Sequence, residues 1–467
     1  MINMTLKDAA HVVSGQLVAE ESAVDRFKGV TIDSRKLQQG QLFAALPGEN
    51  TDGHDYVARV LKQGAAVALV SHLLEGVGTQ IVVKDVQLAL GKLAAFWLAY
   101  LRERKELTVI AVTGSNGKTT VKEMLGSVLS LRHKVLMTRG NQNNELGLPL
   151  TLFELGSAHE YAVLELGASR PGDIAYLCEI CNPDIALLNN VGPAHLQGFG
   201  DLQGVARAKG EIFAGLNSSG TAIVNADEPW QEGWQQQIAG SKTISFGSQP
   251  DSDVSAGKNT ELFNLQTPQG HIAGLQLPLP GQHNRMNALA AVAVLQAVHI
   301  PLDEIRQGLE NVPAVAGRLN TQLAVGGWKI IDDTYNANPA SLYAGLSVLT
   351  NNLAAGEAAW LILGDMAELG DNSPRLHREM GEAASALGVH RLFAVGELSR
   401  HSVEGFGLNA LHYENKTSLL ADLFKLIHPG VISLVKGSRS MGMEDVALAL
   451  LNYQPACNKT GQHRETV

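Results

Sequence analysis

Short apolar, β-branched runs recur along the chain, separated by longer stretches whose apolar residues fall at helical spacing. Four such runs, "TVIAV" (108–112), "YAVLEL" (161–166), "DIALLN" (184–189) and "GTAIVN" (220–225), are almost continuously apolar. That pattern predicts strands covered on both faces, as in a parallel sheet flanked by helices. "TVKEMLGSVLSL" after the first run and 284–298 further on predict helices. The stretch 242–280 is richer in Ser, Gly, Gln and Thr and predicts an antiparallel β insertion.

Before this region, "GVTI" and "TQIVV" read as short strands, and "HDYVARVLKQG" as an amphipathic helix. "LRERKEL" closes that part as the end of a helix begun near Val86. After it, "KIIDD", "WLILG", "RLFAV" and "VISLV" predict four more strands with helices between them. The expected fold class is α/β in three domains: a small N-terminal one (1–105), a central doubly wound P-loop domain (106–313) and a C-terminal Rossmann-like domain (314–467). The tail after Pro455 is polar and reads as loose.

A chain of 467 residues exceeds one ordinary core, in line with several domains. Hydrophobic residues at 45% and charged residues at 18% give a globular composition rather than a disordered one. The formal charge of −10, without a long basic run, argues against nucleic acid as a partner. Cys178, Cys181 and Cys457 are too few for a disulfide scaffold, and the lone C-x-x-C reads as buried small hydrophobes. Asp8 and His11 interrupt any apolar leader, and 288–300 is too short to span a bilayer, so no membrane insertion and a cytoplasmic location are expected.

The strongest chemical signal is Thr113-Gly114-Ser115-Asn116-Gly117-Lys118-Thr119-Thr120, set between a predicted strand and a predicted helix. Glycines there let successive N–H groups turn toward phosphate oxygens, and the helix start adds partial positive charge. Lys118 would reach the outer phosphates of a triphosphate and Thr119 would meet Mg²⁺. The spacing departs from the common P-loop, since Val112 stands where the first glycine would be. Glu165 and His195 follow predicted strand ends on the edge where such sheets bind ligands. Each has a plain alternative: a solvated strand-end acid, or a loop histidine bonded to backbone.

Taken with "GNQNNELGLPLTL", "LELGASRPGDI", "NVGPAHLQGFG", "AKGEIF", "GQHNRMNALAA", "DDTYNANP", "LGDMAELG" and "LVKGSRSM", the chain resembles the Mur ligases over nearly its whole length. It is most similar to the branch that adds a D-alanyl-D-alanine dipeptide. The resemblance implies an ATP-dependent amide ligase working through an acyl phosphate, with UDP-N-acetylmuramoyl-tripeptide and D-alanyl-D-alanine as substrates, and a monomer. Another Mur-type ligase, or a folylpolyglutamate-type one, is the alternative.

The same resemblance implies residue roles. ATP would be held by Gly114 to Thr120 with Asn287, Arg318 and Asp333. Two Mg²⁺ ions would involve Thr119, Glu165, His195 and Lys209, the last as a carbamate. Lys118, Lys209, His195, Asn336 and Arg318 would serve the reaction. Ser34, Arg35, Asn141, Asn144, Tyr335, Asn338, Lys436, Ser438 and Arg439 would contact the substrates. The residues alone also permit blander readings: Lys209 as an exposed helix lysine, Asn284 rather than Asn287 as a helix cap, Asp333 as a turn former and Arg35 as a surface ion pair.

Overall fold

The structure, a computed structural model, describes residues 1–19, 24–48, 51–256, 262–351 and 353–454. Cys457 and the tail after Pro455 lie outside them, as do residues 49–50 of the loop 48–54, which the family resemblance assigns with Ser34 and Arg35 to the UDP-sugar. The chain divides into two compact units. One comprises Met1–Val191, Asp201–Leu277 and Arg285–Val312; the other comprises Gly192–Gly200, Pro278–Asn284 and Pro313–Val467.

The first unit opens with β1 (Asn3–Thr5), which pairs antiparallel with β3 (Arg26–Lys28). A five-stranded sheet follows, built from β2 (Gln16–Val18), β4 (Val30–Thr31), β5 (Leu42–Ala44), β6 (Val67–Val70) and β7 (Gln80–Val82), in the order β2-β7-β6-β5-β4. Helix Val86–Arg102 closes this part; Asp85 caps it by accepting from Leu88 N. Its apolar face buries Leu90, Leu93, Ala94 and Leu98, and Trp97 Nε1 donates to Leu155 O at 3.1 Å. That bond and the Ile2 N–Phe153 O bond at 2.7 Å fasten the small sheet to the larger one within this unit.

The larger sheet has nine strands: β8 (Thr108–Thr113), β9 (Val135–Met137), β10 (Tyr161–Glu165), β11 (Ile185–Leu188), β12 (Thr221–Asn225), β13 (Lys242–Gly247), β14 (Val254–Ala256), β15 (Leu265–Thr267) and β16 (Gly270–Ile272). Their order is β16-β15-β14-β13-β12-β11-β8-β10-β9. The apolar runs β8, β10, β11 and β12 are parallel and buried, as their composition demands. The region 242–280 departs from the expectation. β13 and β14 continue the parallel sheet, and antiparallel pairing begins only where β15 joins β14 and β16 joins β15. Helix Gln231–Ile238 provides the crossover that returns β13 parallel to β12.

The second unit carries a six-stranded sheet of β17 (Asn320–Leu323), β18 (Lys329–Asp333), β19 (Ala358–Gly364), β20 (Arg391–Val395), β21 (Ala410–Tyr413) and β22 (Val431–Lys436), ordered β17-β18-β22-β19-β20-β21. Every neighbour pair is parallel except β17 with β18. Trp328, Trp360 and Phe393 fill one face, and Leu342, Leu346 and Leu361 the other. Cys178 and Cys181 sit buried in helix Asp173–Cys181, as small hydrophobes should. Among the described residues no helix is long and apolar enough to cross a membrane.

Candidate functional site

The turn after β8 has the backbone its glycines permit. Gly114 has φ +153° and Gly117 φ +79°, and Gly117 caps helix Lys118–Leu129. A Cβ on Gly117 would lie 2.2 Å from Asn287 Oδ1, so no larger residue fits there. Lys118 curls back over the loop and its Nζ donates to Gly114 O at 2.8 Å. One turn of chain therefore brings a lysine and a helix start to the same place, a combination that suits polyphosphate, while Ser115 N and Asn116 N of the loop donate to Asn190.

Two neighbouring strand ends complete the floor. Thr119 Oγ1 donates to Glu165 Oε2 at 2.9 Å, and Asn143 Nδ2 donates to Glu165 Oε1 at 2.8 Å. Glu165 is only 2% exposed, which removes the reading as a solvated strand-end acid. Its own N–H donates to Thr138 Oγ1 at 2.9 Å. A buried carboxylate beside a threonine hydroxyl is a hard oxygen donor set, which suits Mg²⁺.

Lys209 lies in helix Leu202–Ala214 and is 1% exposed. The reading as an exposed helix lysine is therefore wrong. Burial pushes its amine well below the usual lysine range, and the positive charge of Lys118 adds to the shift. A neutral amine is a nucleophile, so this lysine fits addition of CO₂ in a way a surface lysine would not.

Asn287 is buried and its Oδ1 accepts from Asn189 Nδ2 at 2.8 Å. Asn284 does not cap the helix. Helix Gln282–Ala297 starts two residues before it, and its Nδ2 donates to Pro280 O at 2.7 Å. Asn190, which nothing in the motif pattern singles out, pairs with the main chain of Asn116. Its Oδ1 accepts from Asn116 N at 2.8 Å and its Nδ2 donates to Asn116 O at 3.0 Å.

Of the expected substrate asparagines, Asn144 Oδ1 accepts from Gly147 N at 2.9 Å, steadying the start of helix Gly147–Phe153. Asn141 lends its carbonyl to Asn143 N at 2.8 Å. It is Asn143 between them that reaches Glu165.

In the small sheet's loops, Arg35 grips Asp33 with both arms of its guanidinium, Nε and Nη2 each at 2.9 Å, and remains largely exposed. This is the surface ion pair of the blander reading, and Arg35 holds the Asp33 carboxyl down at about 2. Ser34 Oγ accepts from Arg59 Nη2 at 2.8 Å. His54 ties its loop down by facing Asp52 at 2.6 Å and accepting from Ser71 N at 3.0 Å.

The remaining candidates fall in the second unit. His195 has φ +54°, and its Nδ1 meets the carboxylate of Glu368, itself at φ +62°. Both adopt left-handed backbone that costs a non-glycine residue free energy. Glu368 was not anticipated. The guanidinium of Arg318 stacks 4.2 Å over the Tyr335 ring.

Asp333 is no mere turn former. Its Oδ2 accepts from Lys436 Nζ at 2.5 Å and its Oδ1 from Leu319 N at 3.3 Å. Burial raises the Asp333 carboxyl above its ordinary range, with the Lys436 ammonium opposing. Lys436 is 2% exposed and also donates to Asn336 O at 2.9 Å. The lysine expected to contact a substrate is thus engaged by Asp333 and the loop after β18.

Asn338 caps helix Pro339–Asn351: its Oδ1 accepts from Ser341 N at 2.9 Å, and Ser341 Oγ accepts from Asn338 N at 3.1 Å. Asn336 Oδ1 accepts from Ala337 N at 2.9 Å. Ser438 Oγ accepts from Ala367 N at 2.6 Å, and Arg439 pairs with Glu444 at 3.0 Å on the surface.

The structure thus gathers Lys118, Thr119, Glu165 and Asn287 about one turn of the first unit, with Lys209 near enough for Lys118 to shift its titration. His195, Arg318, Asp333, Asn336 and Lys436 belong to the other unit.

Comparison with known proteins finds a family match in each of the three larger sheets. Residues 26–97 match the model described as Mur ligase family, catalytic domain; 112–295 match the Mur ligase middle domain; 317–439 match the Mur ligase, glutamate ligase domain. The UDP-N-acetylmuramoyl-tripeptide–D-alanyl-D-alanine ligase of Escherichia coli K12 is 43% identical, over 96% of this chain and 99% of that protein. The enzyme of the same name from Haemophilus influenzae is 38% identical, over 96% and 99%. Among solved structures, MurF from Acinetobacter baumannii superposes with a TM-score of 0.89 at 37% identity, covering 97% of this chain and 99% of that one. MurF ligase from Thermotoga maritima, solved with ADP, gives 0.80 at 28% identity, covering 91% and 97%.

Proposed function

The chain belongs to the Mur ligase family, and from that premise we infer that it is an ATP-dependent ligase joining D-alanyl-D-alanine to UDP-N-acetylmuramoyl-tripeptide. The observation that carries the chemistry is the Lys118–Gly114 turn set beside the buried Thr119–Glu165 pair.

In this reading ATP lies on the turn from Gly114 to Thr120, with Asn287 at the base, and Arg318 and Asp333 also serve the nucleotide. The tripeptide carboxylate attacks the γ-phosphorus, one of its oxygens forms the new P–O bond, and ADP leaves. Lys118, released from Gly114 O, places its ammonium against the negative charge that spreads over the phosphoryl oxygens. Mg²⁺, held by Thr119 and Glu165 with the carbamate of Lys209, and at a second position by His195, would neutralise phosphate charge when bound. The free amine of the dipeptide then adds to the acyl phosphate carbonyl, loses a proton, and phosphate departs with the electrons of the C–O bond.

In this reading Asn336 and Tyr335 serve the substrates, and the Asp333–Lys436 pair holds their loop, after β18, in place. Because Lys436 is buried in its pair, its contribution is to shape this loop, and the dipeptide carboxylate falls to Arg439, whose pair with Glu444 lies exposed on the surface and can exchange for a substrate carboxylate. Ser34, Arg35 and the loop ending at His54 take the UDP-sugar.

The test is phosphate release from ATP in the presence of the UDP-tripeptide, with D-alanyl-D-alanine compared against single amino acids. Release and a product mass increase that depend on the dipeptide support the reading. Equal turnover with a single amino acid would move the chain to another branch of the family.

A further inference from the structure

Asn189 follows β11 directly and is 2% exposed, yet the reaction described above gives it no part. Its main chain is pinned on both sides: Asn189 N donates to Thr113 O at 2.9 Å, and Asn225 Nδ2 donates to Asn189 O at 2.9 Å. Its side-chain Nδ2 donates twice, to Asn116 O at 3.0 Å and to Asn287 Oδ1 at 2.8 Å. An amide's oxygen and nitrogen are told apart by their partners.

A backbone carbonyl can only accept, so Asn116 O requires that the NH₂ end of Asn189 face the loop. The second hydrogen leaves the same nitrogen, so the atom it meets on Asn287 must be an acceptor. Asn287 therefore turns Oδ1 toward Asn189 and carries Nδ2, a donor, on its other side. Gly117 leaves the space for this chain of amides: a Cβ there would sit 2.2 Å from Asn287 Oδ1 and 2.6 Å from Asn189 Nδ2.

We propose that Asn189 is a positioning residue that fixes the Asn287 amide as a hydrogen-bond donor toward the nucleotide, so that the purine is read through one of its ring-nitrogen acceptors. This rests on the placing of ATP on the phosphate turn with Asn287 at the base. The carbonyl of the phosphate loop thereby sets the polarity of the base contact, and one side chain serves both ends of the nucleotide.

The test is calorimetric binding of ADP and of its 1-, 3- and 7-deaza analogues, each lacking one ring acceptor, to the full-length protein and its variants. Wild type should bind one of the three analogues about tenfold more weakly than ADP, the scale of one buried hydrogen bond. In Asn189→Asp the side chain can only accept, Asn287 must turn its NH₂ inward, and that penalty should fall below about twofold. Asn189→Ser, whose single hydroxyl hydrogen goes to Asn116 O, should reduce it too, and serves if the aspartate variant does not fold. Asn287→Ala should abolish it. Full retention of the penalty in a folded Asn189 variant overturns the proposal. So does a wild type that binds all four nucleotides equally while still ligating with ATP, an outcome that leaves the proposed function standing. Failure of ADP to bind at all would overturn both.

Discussion

Thr119 Oγ1 and Glu165 Oε2 stand 2.9 Å apart, joining the first turn of the phosphate-loop helix to the end of the neighbouring strand β10. Both are buried, so the hydroxyl and the carboxylate already have the separation that a shared cation needs.

Replacing Glu165 by Ala should cut kcat by about 10²–10³-fold, the scale of losing one group that stabilises transition-state charge. The half-saturating Mg²⁺ concentration should rise with it. A magnesium titration of phosphate release checks both, and an unchanged Mg²⁺ requirement counts against the assignment.

Lys209 should take up CO₂. Its amine is buried, and burial with the nearby Lys118 charge pushes it well below the usual lysine range, toward the neutral form that adds CO₂. Protein equilibrated with ¹³C-bicarbonate should show a carbamate carbon by NMR that is absent from Lys209→Arg, and that variant should be inactive. A wild-type spectrum identical to that of the variant would exclude the modification.

The Asp333–Lys436 pair should be destabilising to break and cheap to replace. Lys436→Met strands a buried carboxylate and is expected to cost about 3–5 kcal/mol in urea unfolding. Adding Asp333→Asn should recover a large part of that loss. Equal stability of wild type and Lys436→Met would show that the pair is not closed in solution.

His377 should make the second unit acid-sensitive. It is fully buried, its Nε2 accepts from Met366 N at 3.0 Å and its Nδ1 donates to Ser373 O at 2.7 Å, bracketing the segment that carries Glu368. Burial lowers its pKa below the ordinary 6.5, so the unfolded state takes up the proton first. Stability from this group is complete above about 6.5 and is lost as pH falls below that toward the lowered folded value. Thermal melts should show wild type losing more stability than His377→Gln between pH 6.5 and 5. Parallel curves would contradict this.

The strands were readable because both faces of these sheets are covered, which makes β8, β10, β11 and β12 continuous apolar runs. The phosphate turn was readable because only Gly-rich chain followed by Lys and Thr does that work. The side-chain partners were harder. Nothing in "NQNN" distinguishes Asn143, which reaches Glu165, from Asn141 and Asn144; the fold of that turn decides. Lys209 and Lys436 look like surface residues by type, and only the packing around them reveals that both are buried. "LLNN" does carry a signal: two amides directly after a buried strand, on the edge where the phosphate turn lies.

The claim on which the rest depends is that phosphate passes from ATP to a peptide carboxylate before the amide forms. UDP-tripeptide labelled with ¹⁸O in its terminal carboxylate tests this in one step. The account predicts that, with ATP and D-alanyl-D-alanine, one ¹⁸O appears in the released phosphate and the other stays in the new amide. Product formed with unlabelled phosphate would contradict it.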